Sequence, residues 1–215
     1  MRKEYTFVTG SPLPEVFHRY MSKIDESDIL ERLNLEKGKF ILVSAHREEN
    51  IDNDENFKSL TDALNAIAEK YDMPVIYSTH PRSWKRIDAM NIKFHKNIQQ
   101  LKPFGFYDYN KLQKESFCVL SDSGSLAEES NIMNFPAVSI RTSTERPEAV
   151  DKGSVILGGI TFASITQSIE VITKQKQLGE ILVKAHDYTD INVSTKVVNI
   201  IQGYTSVINK FIWRK

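Results

Sequence analysis

The chain has 215 residues, 40% hydrophobic and 26% charged, which is enough for one well-buried domain. Its 28 basic and 28 acidic residues cancel, so no global field favours nucleic acid or an anionic membrane surface. The single cysteine, Cys118, excludes an internal disulfide, and no apolar run is long enough for a bilayer span or a signal-peptide core, so a cytoplasmic protein is expected.

Short apolar runs alternate with helical patterns along the whole chain. A strand is predicted at residues 5–9, then two short helical patterns over 13–35 whose role the pattern leaves undecided. The strand at 40–45 leads into an amphipathic helix over 56–71, where Phe57, Leu60, Leu64 and Ile67 share one face. Further strands are predicted at 75–78, 98–101, 117–121, 137–140 and 155–157, each short and bounded by polar turns. Leu126, Ile132 and Met133 anchor a helix beginning at Ser125. Ile165, Ile169 and Ile172 mark another after Thr161, and Val197, Ile200, Ile201 and Tyr204 mark the last. Strands alternating with helices imply an α/β fold with a doubly wound, mainly parallel sheet. The expected division is a linker segment at 1–36, a Rossmann-like domain at 37–192 and a C-terminal helix at 193–215.

The most informative stretch is VLSDSGSLAEESNIMNFPAVSIRTSTERPE, residues 119–148. Its order places a helix N-terminus and an arginine-bearing loop beside the carboxyl ends of two neighbouring strands, where open α/β sheets bind ligands. Free N–H groups and the helix dipole there suit phosphate. Ser123 and Gly124 allow close backbone approach to a diphosphate. Ser125 and Glu128 fit a capping box, which leaves Glu129 free to accept the hydroxyls of a ribose or to stabilise the helix start. Arg146 offers a fork for phosphate oxygens, or a loop salt bridge with Glu145 or Glu148.

Two more strands end in a histidine followed closely by an arginine. In SAHREEN, residues 44–50, His46 and Arg47 could project into the crevice, the histidine carrying a proton or donating to phosphate; the alternative is a loop histidine bonded to backbone. In YSTHPRS, residues 77–83, Pro81 breaks the strand after His80, and a structural role for His80 stands beside a catalytic one. The loop PFGFYDYN, residues 103–110, exposes Phe104, Phe106 and Tyr107, any of which could stack on a base or pack in the core. The chain has no P-loop, dinucleotide fingerprint, zinc-spaced Cys/His set or G-x-S-x-G motif.

SAHREEN, YSTHPRS, SDSGSLAEES and RTSTERPEAVDKGS occur in the order and spacing of the non-hydrolysing UDP-N-acetylglucosamine 2-epimerases, and the resemblance runs from VTGSP to the last helix. ENIDNDENF, RTSTERPEA, NVSTKVV and WRK look closest to the subgroup that makes UDP-N-acetyl-L-fucosamine from UDP-2-acetamido-2,6-dideoxy-L-talose, for capsule or O-antigen building. The resemblance implies two Rossmann-like domains in the glycosyltransferase-B arrangement, of which this chain looks like the C-terminal, UDP-holding one. It makes His46 the active-site histidine near the diphosphate and places His80 at the mouth of the site. It also implies that Phe106 stacks on uracil, that Ser123, Gly124 and the backbone at Ser125 hold phosphate, that Glu129 binds the ribose, and that Arg146, with Arg47, lies by the phosphates. Ser125 departs from the pattern, since many relatives carry a second glycine there.

The implied chemistry is anti elimination of UDP with loss of the C2 proton, then re-addition with protonation from the opposite face, which needs neither redox cofactor nor metal. The expected partners are a UDP-sugar and a missing N-terminal domain that supplies the proton-transferring carboxylates, with a homodimer as the family expectation. The residues in hand are therefore expected to bind UDP weakly and to be inactive alone. The competing readings are a non-catalytic UDP-binding fragment or partner subunit, the nucleotide domain of a glycosyltransferase, and a hydrolysing epimerase.

Overall fold

A computed structural model describes residues 6–180 and 184–214. In chain order the elements are α1 (Leu13–Asp25), α2 (Ile29–Arg32), β1 (Ile41–Ser44), α3 (Glu48–Ile51), α4 (Asp54–Tyr71) and β2 (Val75–Ser78). They continue as α5 (Pro81–Ala89), β3 (Ile98–Leu101), α6 (Phe106–Glu115), β4 (Cys118–Ser121), α7 (Leu126–Met133) and β5 (Ala137–Ser139). The last are α8 (Pro147–Asp151), β6 (Ile156–Leu157), α9 (Phe162–Gln177), a 3-10 turn (His186–Tyr188), α10 (Val193–Ile208) and a π-helical turn (Asn209–Trp213).

The six strands form one sheet in the order β3-β2-β1-β4-β5-β6, and every neighbouring pair is parallel. The order reverses between β1 and β4, and such a reversal opens a crevice at the carboxyl ends of the strands. The register sets Ser44 of β1 opposite Ser121 of β4, so the two chains leave the sheet side by side at that reversal.

Alternation along the strands divides the core into two layers. Ile41 and Val43 face Phe57, Leu60, Leu64 and Ile67 of α4 together with Ile165 and Ile169 of α9. Phe40 and Leu42 face Phe17 and Ile24 of α1, Leu112 of α6 and Leu126 of α7. These side chains are fully buried or nearly so, and each aliphatic one contributes roughly 1.5–3 kcal/mol.

Local signals fix the helix ends. Asn53 caps α4 by accepting the Asn56 N–H at 3.0 Å, so this helix starts two residues before the predicted position. It ends at Asp72 in the left-handed conformation. Thr161 caps α9 through Ser164. Phe106 and Tyr107 belong to the first turn of α6 rather than to a loop, and Phe104 is partly buried against the core.

The predicted strand at 5–9 is corrected for its described part, since residues 6–9 carry no strand and Tyr5 lies outside the described residues. The sheet edges are β3 and β6, and this segment bonds elsewhere. Phe7 packs edge-on against Tyr204 at 4.6 Å, Lys196 Nζ donates to the Thr9 carbonyl at 3.2 Å, and the Ser11 N–H donates to the Asp187 carbonyl at 2.7 Å. Among the described residues, no helix is long and apolar enough to cross a membrane.

Candidate functional site

The site is built where β1 and β4 end. Asp122, the first residue past β4, is fully buried. Its oxygens accept the His46 N–H at 3.1 and 3.0 Å, the Arg47 N–H at 2.9 Å and Asn50 Nδ2 at 3.0 Å. Asn50 also donates to the Ile140 carbonyl past β5 at 3.0 Å, so one carboxylate and one amide bind the ends of three strands. A buried carboxylate needs such donors, because an unpaired one costs several kcal/mol. Beside it, the half-exposed His46 ring holds Nδ1 3.4 Å from Asp122 Oδ1.

His80 lies next to His46, with ring centroids 6.1 Å apart. It also has a structural task as the cap of α5, where its Nδ1 accepts the Arg82 N–H at 3.3 Å. Arg82 is paired with Glu48 and Asp52. An open cleft of about 620 Å³ is lined by His46, Arg47, Glu48, Glu49 and Arg82.

The turn after Asp122 forms the next wall. Ser123 Oγ and Ser125 Oγ stand 2.9 Å apart. Gly124 faces Arg47 Nη2 and Glu145 Oε1, each 3.2 Å from where a Cβ would stand. Glu145 joins Arg47 at 2.7 Å and the buried Arg141 at 2.5 Å. These two guanidiniums lower the Glu145 pKa to about 2, the Arg141 hydrogen bond first and the Arg47 bond second.

The capping box read from Ser125 and Glu128 is not formed. Ser125 makes no side-chain cap bond; its backbone is already helical, with φ −70° and ψ −16°, and its hydroxyl lies 2.9 Å from that of Ser123. Glu128 turns away to bond Ser11 Oγ and to pair with Arg146 at 3.0 Å. Arg146 therefore has neither Glu145 nor Glu148 as its ion-pair partner; Glu148 accepts from Tyr188 instead. Glu129 faces the other side of α7, toward α6, and accepts Gln113 Nε2 at 2.5 Å. Desolvation raises the Glu129 pKa, against the opposing bonds from Gln113 and Ser125. Phe106, at the start of α6, is 42% exposed and packs against Phe17, Tyr20 and Tyr107, with centroids at 6.0, 6.5 and 5.6 Å.

The structure thus brings His46, Arg47, His80, Ser123, Gly124 and Ser125 to one rim; Glu129 is engaged with Gln113 of α6, and Phe106 lies at the start of α6 against α1. Arg146 is held at the side of α7 by Glu128. Sequence reasoning missed the support beneath this rim: Asp122, Asn50, Arg141 and Gln113, all buried polar residues. The signal that could have found Asp122 and Arg141 is a charged residue directly after an apolar strand. Such a position places the side chain at the rim.

Comparison with known proteins bears on this rim. The family model described as UDP-N-acetylglucosamine 2-epimerase matches residues 1–202. The chain belongs to that family.

Within the UDP-N-acetylglucosamine 2-epimerase family, a Methanococcus maripaludis protein of that name is 31% identical over 189 residues, 86% of this chain and 48% of that protein. The solved structure of the Rickettsia bellii enzyme is 36% identical, with a TM-score of 0.90 over 100% of this chain and 58% of that one. The Methanocaldococcus jannaschii enzyme, solved in complex with UDP-GlcNAc and UDP, is 26% identical, with a TM-score of 0.83 over 94% of this chain and 56% of that one. The chain spans about half the length of the relatives it matches. Its fold is the Rossmann-like α/β type seen in these glycosyltransferase-B-type epimerases.

Proposed function

We propose that this chain is the UDP-holding half of a UDP-sugar 2-epimerase, an isomerase acting at C2 of the sugar. The observation that carries the reading is Gly124 beside the Arg47 guanidinium, at the point where the strand order reverses. A turn without a side chain there gives a pyrophosphate room to meet N–H groups and a guanidinium together. The family relationship supports the same reading, since a relative has been solved with UDP-GlcNAc and UDP.

On this proposal Phe106 stacks on uracil, Glu129 accepts the ribose hydroxyls, and Ser123 with the backbone through Ser125 holds the phosphates. His46, steadied by Asp122, donates to the departing UDP, while Arg47 and Arg146 balance its charge. A base takes the C2 proton, the C1–O bond to UDP breaks, and a 2-acetamidoglycal remains beside UDP. Re-addition of UDP with protonation at the other face gives the epimer, and holding both pieces in one crevice makes that step effectively unimolecular. The base and acid at C2 belong to an N-terminal domain that closes over this rim. The wording of ENIDNDENF and RTSTERPEA favours UDP-2-acetamido-2,6-dideoxy-L-talose as substrate, UDP-N-acetyl-L-fucosamine as product, and capsule or O-antigen synthesis as the setting.

The C-terminal helix supports a docking role in the same scheme. Val198 and Ile201 of α10 and Phe211 and Trp213 of the π-helical turn are 62–65% exposed, a run of apolar surface suited to a covering domain. The test is calorimetry of the chain with UDP, followed by a C2 proton-exchange assay in deuterated water with and without the N-terminal half of a relative. Expected are weak UDP binding alone and exchange only in the mixture. Exchange by the chain alone would overturn the division of labour, and sugar transfer without exchange would favour a glycosyltransferase.

A further inference from the structure

Glu145 holds an unusual place at the rim. It lies in the loop between β5 and α8, and its two oxygens are shared between two arginines from different strand ends. Oε1 takes Arg47 Nη2 at 2.7 Å, from the loop after β1, and Oε2 takes Arg141 Nη1 at 2.5 Å, from the end of β5. The same Oε1 lies over the open side of Gly124, 3.2 Å from where a Cβ would be. The three side chains differ in exposure: Arg141 is 7% exposed and held a second time by Glu49, Arg47 is 33% exposed, and Glu145 is 48% exposed. Glu145 is the outer, displaceable member of the set.

A carboxylate and a phosphate oxygen pair present the same bidentate face to a guanidinium. The protein's own anion therefore stands where the turn and the arginines would receive a ligand's anion. We infer that Glu145 is a built-in competitor: an anion of the protein itself that an incoming anionic ligand must displace from the two arginines. This rests on reading the rim as a nucleoside diphosphate site. A diphosphate can replace both contacts of Glu145, one phosphate group for each arginine, and the cost of moving Glu145 aside falls on any anion that enters.

The experiment is calorimetric titration of the 215-residue chain and of Glu145→Gln and Glu145→Ala with UDP, UMP and inorganic pyrophosphate, each variant first checked by thermal melting. Both variants are expected to bind all three anions more tightly. The gain should be of similar size for UDP and UMP, roughly three- to tenfold for each, about 0.6–1.4 kcal/mol, because both displace the same carboxylate. Weaker or unchanged binding of UDP overturns the inference and leaves Glu145 a strut that positions the arginines. If Glu145→Gln does not melt cooperatively, Glu145→Ala alone decides on the same criterion, and failure of both to fold assigns Glu145 the strut role. Pyrophosphate binding that tightens in the variants while UDP never binds would keep the competitor role and remove the nucleotide reading. No anion bound by any of the three proteins removes both.

Discussion

Both carboxylate oxygens of Asp122 lie within 3.1 Å of the His46 backbone nitrogen. The residue that opens the turn after β4 thereby fixes the residue that leaves β1, 76 positions earlier. The same carboxylate takes Arg47 and Asn50, so it works as the hub of the rim.

Asp122→Asn is therefore expected to be severely destabilising. Its amide would aim a donor at a cluster of donors and leave one of them unpaired, at a cost of about 2–4 kcal/mol. Chemical denaturation checks this, and a loss below about 1 kcal/mol, the ordinary size of one neutral hydrogen bond, would contradict the hub role. His46→Ala should cost far less stability, because Asp122 holds the His46 backbone in addition to standing near its ring.

Glu129→Gln should separate stability from binding. Desolvation raises the folded pKa of Glu129 above its unfolded value. A carboxylic acid shifted upward stabilises below the unfolded pKa and loses that contribution as pH rises through the folded one. The neutral variant, which cannot ionise, should therefore lose less stability than the parent as pH rises above the ordinary carboxylate range. Its UDP affinity should fall roughly ten- to hundredfold, as a charge-assisted bond to the ribose is lost, with a smaller fall for 2′-deoxy-UDP. Equal losses for the two nucleotides would remove the ribose assignment.

The acid limb of stability should depend on Glu145. Its pKa is lowered to about 2 by Arg141 and Arg47, from an ordinary 4.5. A carboxylate shifted downward stabilises above the unfolded value and loses that contribution as pH falls through the folded one. The window is therefore about pH 4.5 down to 2, and Glu145→Gln should flatten the stability profile there while leaving its shape above pH 6 unchanged. Half-exposure keeps the effect small. Urea midpoints across that range provide the reading.

Cys118 should be inert in the native protein. It lies fully buried in β4, and desolvation pushes its thiol far above the ordinary range, so the reactive thiolate is scarce. A thiol-labelling reagent should react only at the rate of unfolding, and rapid labelling under native conditions would place β4 outside the core.

Much of the architecture was legible because strand and helix periods are local. Strands 75–78 and 98–101 are found where predicted, and the stripe Phe57, Leu60, Leu64 and Ile67 faces the core as read. Both histidines lie just past strand ends, since an apolar run followed by polar residues marks the rim. The misread cap and the misread strand both involve competition from far along the chain. Ser125 and Glu128 have the spacing of a cap, yet Ser11, 117 residues away, and Arg146 claim Glu128. The run at 5–9 has the composition of a strand, yet in its described part Lys196 of α10 takes the Thr9 carbonyl and Tyr204 packs on Phe7. Arg141 follows an apolar run, and its partner Glu49, 92 residues earlier, becomes visible only in the fold.

The segment before α1 and helix α10 lie against one another, through Phe7 on Tyr204 and Lys196 on the Thr9 carbonyl. The first and last parts of the described chain are thereby latched to one another, so that trimming either one would loosen its counterpart.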